Sequence, residues 1–223
     1  MMRFFVDKKE GDYFILSKDV LQHIKVTRVE EKEFICVFEG KFHKCKLEGN
    51  VAKIIDIIDE NHEFNEEVVV AAAIINTKRF EWLIQKATEL GATKLIPLIT
   101  ERVEQKLGND IDKKVQRWNE ISRNAAEQSF RNYSMEVTFP TFYKNVFDHF
   151  YKNKYIAHEK EIDSKVPISI PQNCIFLIGP EGGFSDQEVD LAISRGYIPI
   201  SLGKRILRAE TAPLFLLSRV EQN

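Results

Sequence analysis

Along the first sixty residues, apolar positions come in short runs or alternate with polar ones: RFFV (Arg3–Val6), YFIL (Tyr13–Leu16), FICVF (Phe34–Phe38), KFHKCKLE (Lys41–Glu48) and AKIIDII (Ala52–Ile58). Turn-like breaks separate them at Glu10-Gly11-Asp12, Glu39-Gly40-Lys41 and Glu48-Gly49-Asn50, a pattern that predicts a small antiparallel barrel. The polar stretch Asp59–Glu63 then gives way to Glu66–Ile75, a continuous apolar run suited to a strand buried on both faces, so the boundary is expected near residues 63–66. Beyond it the period changes. Phe80, Leu83, Ile84, Ala87 and Leu90 recur at helical spacing, Gly91 suits the residue after a helix end, and Lys94–Ile99 resumes a strand. A second helix is predicted on Ile111, Val115, Trp118, Ile121 and Ala125, then a strand at Met135–Thr138, a short helix near residues 142–150 and a strand at Tyr155–Ala157. Cys174–Ile178 (strand), Ser185–Ser194 (helix), Ile198–Leu202 (strand) and Thr211–Val220 (helix) complete an alternation that implies an α/β fold, a mostly parallel sheet with helices on both faces.

Composition changes this picture little. With 223 residues, 43% hydrophobic, the chain can fill one large core or two unequal ones. Its 30% charged residues nearly balance, at a net charge of −2, so contact with a polyanion has to be local. Cys36, Cys45 and Cys174 lie far apart without a CxxC pair, and the five histidines form no HExxH, so neither a disulfide framework nor a metal site is expected. The start MMRFFVDKKE has no basic segment followed by a long apolar one, and no apolar run reaches the roughly 18 residues of a membrane span, so a cytoplasmic protein is expected.

Candidate chemistry gathers in two glycine-containing loops. LIGPEGGFSDQE (Leu177–Glu188) leaves a strand and enters a helix, with Ser185 and Glu188 in the form of a capping box. In open parallel sheets ligands sit beyond the carboxyl ends of strands, and glycines there let backbone N–H groups approach a ligand. The plain alternative is a tight turn with a good cap. Neither the P-loop GxxxxGK[ST] nor the dinucleotide GxGxxG is present, and Glu181 would repel phosphates, so a ligand with hydroxyls and a positive charge fits better than a triphosphate. The second loop, Ser201–Ala212, sets Ile206 and Leu207 among Lys204, Arg205 and Arg208. The two apolar residues suit the faces of an adenine ring or, alternatively, a plug at the sheet edge.

These two loops, GPEGGFS and LGKRILRAETA, closely resemble the signature of the RsmE family of ribosomal RNA methyltransferases, in the SPOUT superfamily. FEWLIQKATELGATKLIPLI (Phe80–Ile99), RWNEISRNAAEQS (Arg117–Ser129), RFFV and HIKVTR (His23–Arg28) resemble further parts of the family, so the likeness runs over nearly the whole chain. Two departures stand out: Val29-Glu30-Glu31-Lys32 follows Arg28 where the family usually has Gly-Asp, and Phe130 follows AAEQS where it often has Gly.

The resemblance implies a PUA-like barrel over residues 1–64 that binds RNA, and a SPOUT methyltransferase domain over 65–223 whose deep trefoil knot holds S-adenosylmethionine. It further implies methylation of N3 of a uridine in 16S ribosomal RNA, within the small ribosomal subunit, by a homodimer. The cofactor would lie between Ile178, Gly179, Glu181, Gly182 and Gly183 on one side and Leu202, Gly203, Ile206 and Leu207 on the other, with Thr211 nearby. Uridine N3 must lose its proton, so the reaction needs a proton acceptor or stabilisation of the charge that spreads to the ring oxygens. Arg208 is the first candidate for that stabilisation, because a guanidinium offers a fixed fork of donors. Glu210 is open to three roles: holding Arg208 or another cation, accepting the proton, or serving as a helix N-terminal acid. For RNA, the cations to map are Lys25, Arg28, Lys78, Arg79, Arg123, Arg131, Lys204 and Arg205, each of which is otherwise a solvated surface charge. The competing class is an RNA-binding ribosome-assembly factor that keeps the fold without methyl transfer. A nucleotide-dependent transferase or dehydrogenase is disfavoured by the missing phosphate motifs.

Overall fold

The computed structural model of the protein describes residues 1–28, 30–103, 108, 110–148, 150–159 and 166–222. Val29 and residue 149, which fall in the family departure and the expected short helix, lie outside the described residues. The chain divides into two compact units, Met1–Glu63 with Arg123–Ser134, and Phe64–Ser122 with Met135–Asn223.

The first unit holds strands β1 (Arg3–Phe5), β2 (Lys9–Glu10), β3 (Tyr13–Ile15), β4 (Phe34–Phe38), β5 (Lys41–Glu48) and β6 (Val51–Ile58), ordered β1-β4-β5-β6-β3-β2. Phe4, Phe14, Phe34, Cys36 and Cys45 fill its core. Two features differ from a purely antiparallel barrel. β1 pairs with β4 in parallel, which the long intervening connection permits, and that connection carries a helix, α1 (Lys18–Val26). Ser17 caps α1 by accepting from the Val20 N–H, and Ile24 is its buried anchor.

Within this unit Arg131 is 4% exposed, its guanidinium on the Glu63 carboxylate, which also accepts from the Asn132 N–H at 2.8 Å. Burial without that partner would strand a charge, so Arg131 is a structural cation and is withdrawn from the RNA-contact set. Phe130 has φ 62°, a left-handed conformation that favours glycine, the residue the resemblance leads one to expect there. Here the ring stacks on Phe42 at 4.6 Å and 1° and lies under the Arg3 guanidinium, contacts that offset the strain and that no glycine makes.

The second unit contains β7 (Val68–Ala73), α2 (Thr77–Glu89), β8 (Lys94–Ile99), the start of α3 (Ile111–Ser129), β9 (Glu136–Val137), β10 (Thr141–Phe142), a 3₁₀ turn (Tyr143–Asp148), β11 (Asn153–Ala157), β12 (Cys174–Ile178), α4 (Asp186–Ser194), β13 (Ile198–Ile200) and α5 (Ala212–Leu217). Every strand pair in this sheet is parallel, in the order β10-β8-β7-β12-β11-β13, with β9 also beside β8. β7 is buried at all six positions, as a strand covered on both faces must be. Val68, Val70 and Ala72 point to one face, against Phe80 and Leu83 of α2, Trp118 of α3 and Leu216 of α5. Val69 and Ala71 point to the other, with Val189 and Ala192 of α4 and Tyr143 of the 3₁₀ turn. The sheet thus separates two apolar layers and brings the carboxyl ends of β12, β11 and β13 to one rim. The predicted strands Cys174–Ile178 and Lys94–Ile99 have the expected bounds, while the last helix is shorter than expected, Ala212–Leu217.

Candidate functional site

A cavity of about 310 Å³ opens at that rim. Ile178, Gly179, Pro180, Glu181 and Gly183 line one side and Leu202 to Ala209 the other, with Ala157, His158 and Glu159 from the end of β11 and Arg79 from the first turn of α2. The volume lies at the small end of the range for ligand pockets, roughly 300–1,000 Å³.

The first side is tightly built. Gly183 has φ 68°, and a Cβ there would come within 3.0 Å of Glu159 Oε1. Its N–H donates to the Pro180 carbonyl at 2.9 Å. Arg102 donates to the carbonyls of Gly182 (2.8 Å) and Phe184 (3.3 Å), fixing the peptide planes that follow the turn. The capping box is present: Ser185 Oγ accepts from the Glu188 N–H at 3.3 Å while Glu188 Oε2 accepts from the Ser185 N–H at 2.9 Å. Glu188 Oε1 also takes the Glu101 N–H at 2.9 Å, tying the segment after β8 to the same turn.

The second side is more open. Gly203 adopts φ 112°, Lys204 and Arg205 are exposed, and Ile206 is 87% exposed, while Leu202 and Leu207 are half-buried. Ile206 therefore does not plug the sheet edge. Glu210 is 7% exposed and lies behind the lining: its Oε1 is 3.8 Å from Arg79 Nε and 3.9 Å from Arg208, and its Oε2 is buried without a hydrogen-bond partner. Of its three open roles, the geometry supports holding cations. Gly182 and Thr211 likewise stand outside the lining, Gly182 as the acceptor for Arg102 and Thr211 as the residue before α5.

Residues 62–221 match the family model described as the RNA methyltransferase domain. A ribosomal RNA small subunit methyltransferase E of Mesomycoplasma hyopneumoniae is 43% identical, over 98% of this chain and 98% of its own length. The chain belongs to the ribosomal RNA small subunit methyltransferase E family. A ribosomal RNA small subunit methyltransferase E of Neisseria gonorrhoeae, solved with bound S-adenosyl methionine, is 28% identical and aligns with a TM-score of 0.87 over 98% of this chain and 95% of its own. A Legionella pneumophila protein solved with bound cofactor SAM is 31% identical, with a TM-score of 0.86 over 97% of this chain and 95% of that one.

In this chain the pocket fits such a cofactor on its own terms. Ile178, Leu202, Leu207 and Ala212 offer apolar walls, the glycine turn leaves room for close backbone approach, and the loop lacks a phosphate cradle. Apart from Arg131, the cations proposed for RNA divide into three sets. Lys25, Arg28, Lys78, Lys204 and Arg205 are exposed. Arg123 is half-buried, donating to the Phe5 carbonyl and paired with Asp7 at 3.4 Å. Arg79 lines the pocket itself, 3.5 Å from Glu181. Sequence reasoning missed the contribution of β11, through Ala157, His158 and Glu159. The strand was visible in the sequence, but its place beside β12 was not. Among the described residues, no helix is long and apolar enough to cross a membrane, and no group of three or more His, Cys, Asp or Glu is placed to hold a metal.

Proposed function

We propose that this protein methylates N3 of a uridine in 16S ribosomal RNA with S-adenosylmethionine as donor. The observation that carries the reading is that GPEGG and GKRILRA, two loops separate in sequence, line one pocket at the carboxyl rim of a parallel sheet. S-adenosylmethionine supplies an activated methyl group on a sulfonium. Ile178, Gly179, Glu181, Gly183, Leu202, Gly203, Ile206 and Leu207 would hold it, the apolar members around the adenine and backbone groups around the rest.

The protein's part is chiefly positioning, because the transfer requires sulfur, carbon and nitrogen in line. Arg208, 73% exposed and 3.9 Å from the Glu210 carboxylate, would hydrogen-bond the uridine carbonyls as N3 loses its proton. Glu210 acts as the fixed anion that holds Arg208 and Arg79 in place. Lys78, Lys204 and Arg205 would contact phosphates near the pocket, and Lys25 and Arg28 would do so from the barrel-like first unit. A base inside folded RNA would be flipped out to reach the site. The working form is a homodimer acting in the cytoplasm on the small subunit. The segment near Val220 bridges Ile170, with the Ile170 N–H on the Arg219 carbonyl at 2.8 Å, and the knot itself is taken from the resemblance.

The test is incubation of the purified protein with methyl-labelled S-adenosylmethionine and small subunits from cells lacking its gene, followed by digestion of the RNA to nucleosides. Label in 3-methyluridine is expected. Absence of label, with folded protein and unmodified subunits verified, would overturn the reading in favour of an assembly factor or another RNA substrate.

A further inference from the structure

Arg79 was expected to grip RNA, yet it is built into the cofactor pocket. It rises from the first turn of α2, beyond the carboxyl end of β7, and lines the cavity between the two loops. Its guanidinium is 3.5 Å from Glu181 Oε1 on the glycine turn and 3.8 Å from Glu210 Oε1 on the second loop. Both distances exceed those of charge-assisted hydrogen bonds, about 2.7–2.9 Å, so the carboxylates hold the cation in place without saturating its five N–H donors. The side chain is 44% exposed, and Glu181 is 53% exposed. The pocket wall thus presents one cation and one anion side by side, each with hydrogen-bonding capacity left over.

The charge pattern selects its ligand. A simple anion or cation beside such a pair meets one attraction and one repulsion, whereas a zwitterion with adjacent opposite charges meets two attractions. The other cations of the pocket do not offer this. Arg208 is 73% exposed on a single 3.9 Å ion pair with a buried carboxylate, and Lys204 and Arg205 stand exposed on the open loop. Glu210, buried behind Arg79, adds a second anchor that fixes the guanidinium before any ligand arrives, which reduces the ordering cost of binding.

We propose that Arg79 and Glu181 form the subsite for the α-amino acid end of the cofactor, Arg79 donating to its carboxylate and Glu181 accepting from its ammonium. This rests on the adenosylmethionine reading above. It makes Arg79 a determinant of ligand specificity, the residue that separates a complete cofactor from one lacking the amino acid.

The test compares two ligands by calorimetry on the full-length protein: S-adenosylhomocysteine, which has the amino acid end, and 5′-methylthioadenosine, which lacks it. For Arg79→Met the affinity for S-adenosylhomocysteine is expected to fall about 10- to 100-fold, the scale of a lost charge-assisted hydrogen bond, while that for methylthioadenosine stays within about twofold. Arg79→Lys should recover part of the loss, and Glu181→Gln should show the same selectivity more weakly. An equal loss for both ligands would mean that Arg79 only braces the loops, and no loss for either would mean that it faces another partner; each result overturns the inference. Thermal unfolding of each variant separates a lost contact from a lost fold. Failure of the wild-type protein to bind either ligand would overturn the adenosylmethionine reading and this inference with it.

Discussion

Between Gly179 and Ser185 the chain is held by Arg102 on two carbonyls, by the Gly183–Pro180 bond, by Phe184 buried at 3% and by the Ser185–Glu188 box. Between Leu202 and Arg208, across the same pocket, the hydrogen bonds among described residues are few: Gly203 N–H on Ser201 Oγ at 3.4 Å, and the Arg208 carbonyl accepting from Thr211 and Ala212. One wall is fixed before a ligand arrives, and the other keeps an exposed apolar residue, Ile206, free to cover it. A rigid wall sets what can enter; a loosely held wall can close over it at little cost to the fold.

Breaking the rigid wall should have the largest effect. Glu188→Ala leaves the Ser185 and Glu101 N–H groups without acceptors, and a loss of about 2–4 kcal/mol in urea unfolding is expected. A loss under about 1 kcal/mol would mean that the turn is held by something else. Next comes Arg102→Ala. Arg102 is exposed, so stability should change little, but S-adenosylhomocysteine binding should weaken about tenfold as the two carbonyls lose their donor. Gly183→Ala imposes a side chain on φ 68° and should cost about 1 kcal/mol in thermal unfolding, with a matching drop in affinity. The smallest effect is expected on the open wall: Ile206→Ser should leave unfolding within about 0.5 kcal/mol of the parent and weaken ligand binding a few-fold. If Ile206→Ser destabilised the fold as much as Glu188→Ala, the contrast between the walls would collapse.

The contrast also explains what the sequence disclosed. Part of the rigid wall is governed by neighbours in sequence, since a capping box and a glycine at positive φ leave local marks readable from GPEGGFSDQE; the brace from Arg102, some eighty residues earlier, left none. Phe34–Phe38 and Lys41–Glu48 were readable for the same reason, as strands whose period is local. Helix α1 was missed because Val20, Leu21 and Ile24 make only a short apolar stripe after the Ser17 cap. Arg131 and Arg79 stood among the RNA-contact candidates because their carboxylates lie far off along the chain, Glu63 for one, Glu181 and Glu210 for the other. A charge declares its type in sequence, but its partner only in space. The same limit hid the strand order that sets β11 beside β12 and so brings His158 and Glu159 to the pocket.

That strand order has a consequence for how the protein comes into being. β7 sits at the middle of the sheet, yet its neighbour β12 is made much later, Val68 pairing with Cys174. During synthesis β7 is therefore made before its β12 flank, ahead of two helices and several strands, and the pocket gains its second wall only after Leu202–Ala209 has been made. Pairings so distant in sequence make for slow folding, and a bare apolar strand in the meantime is a natural client for chaperones.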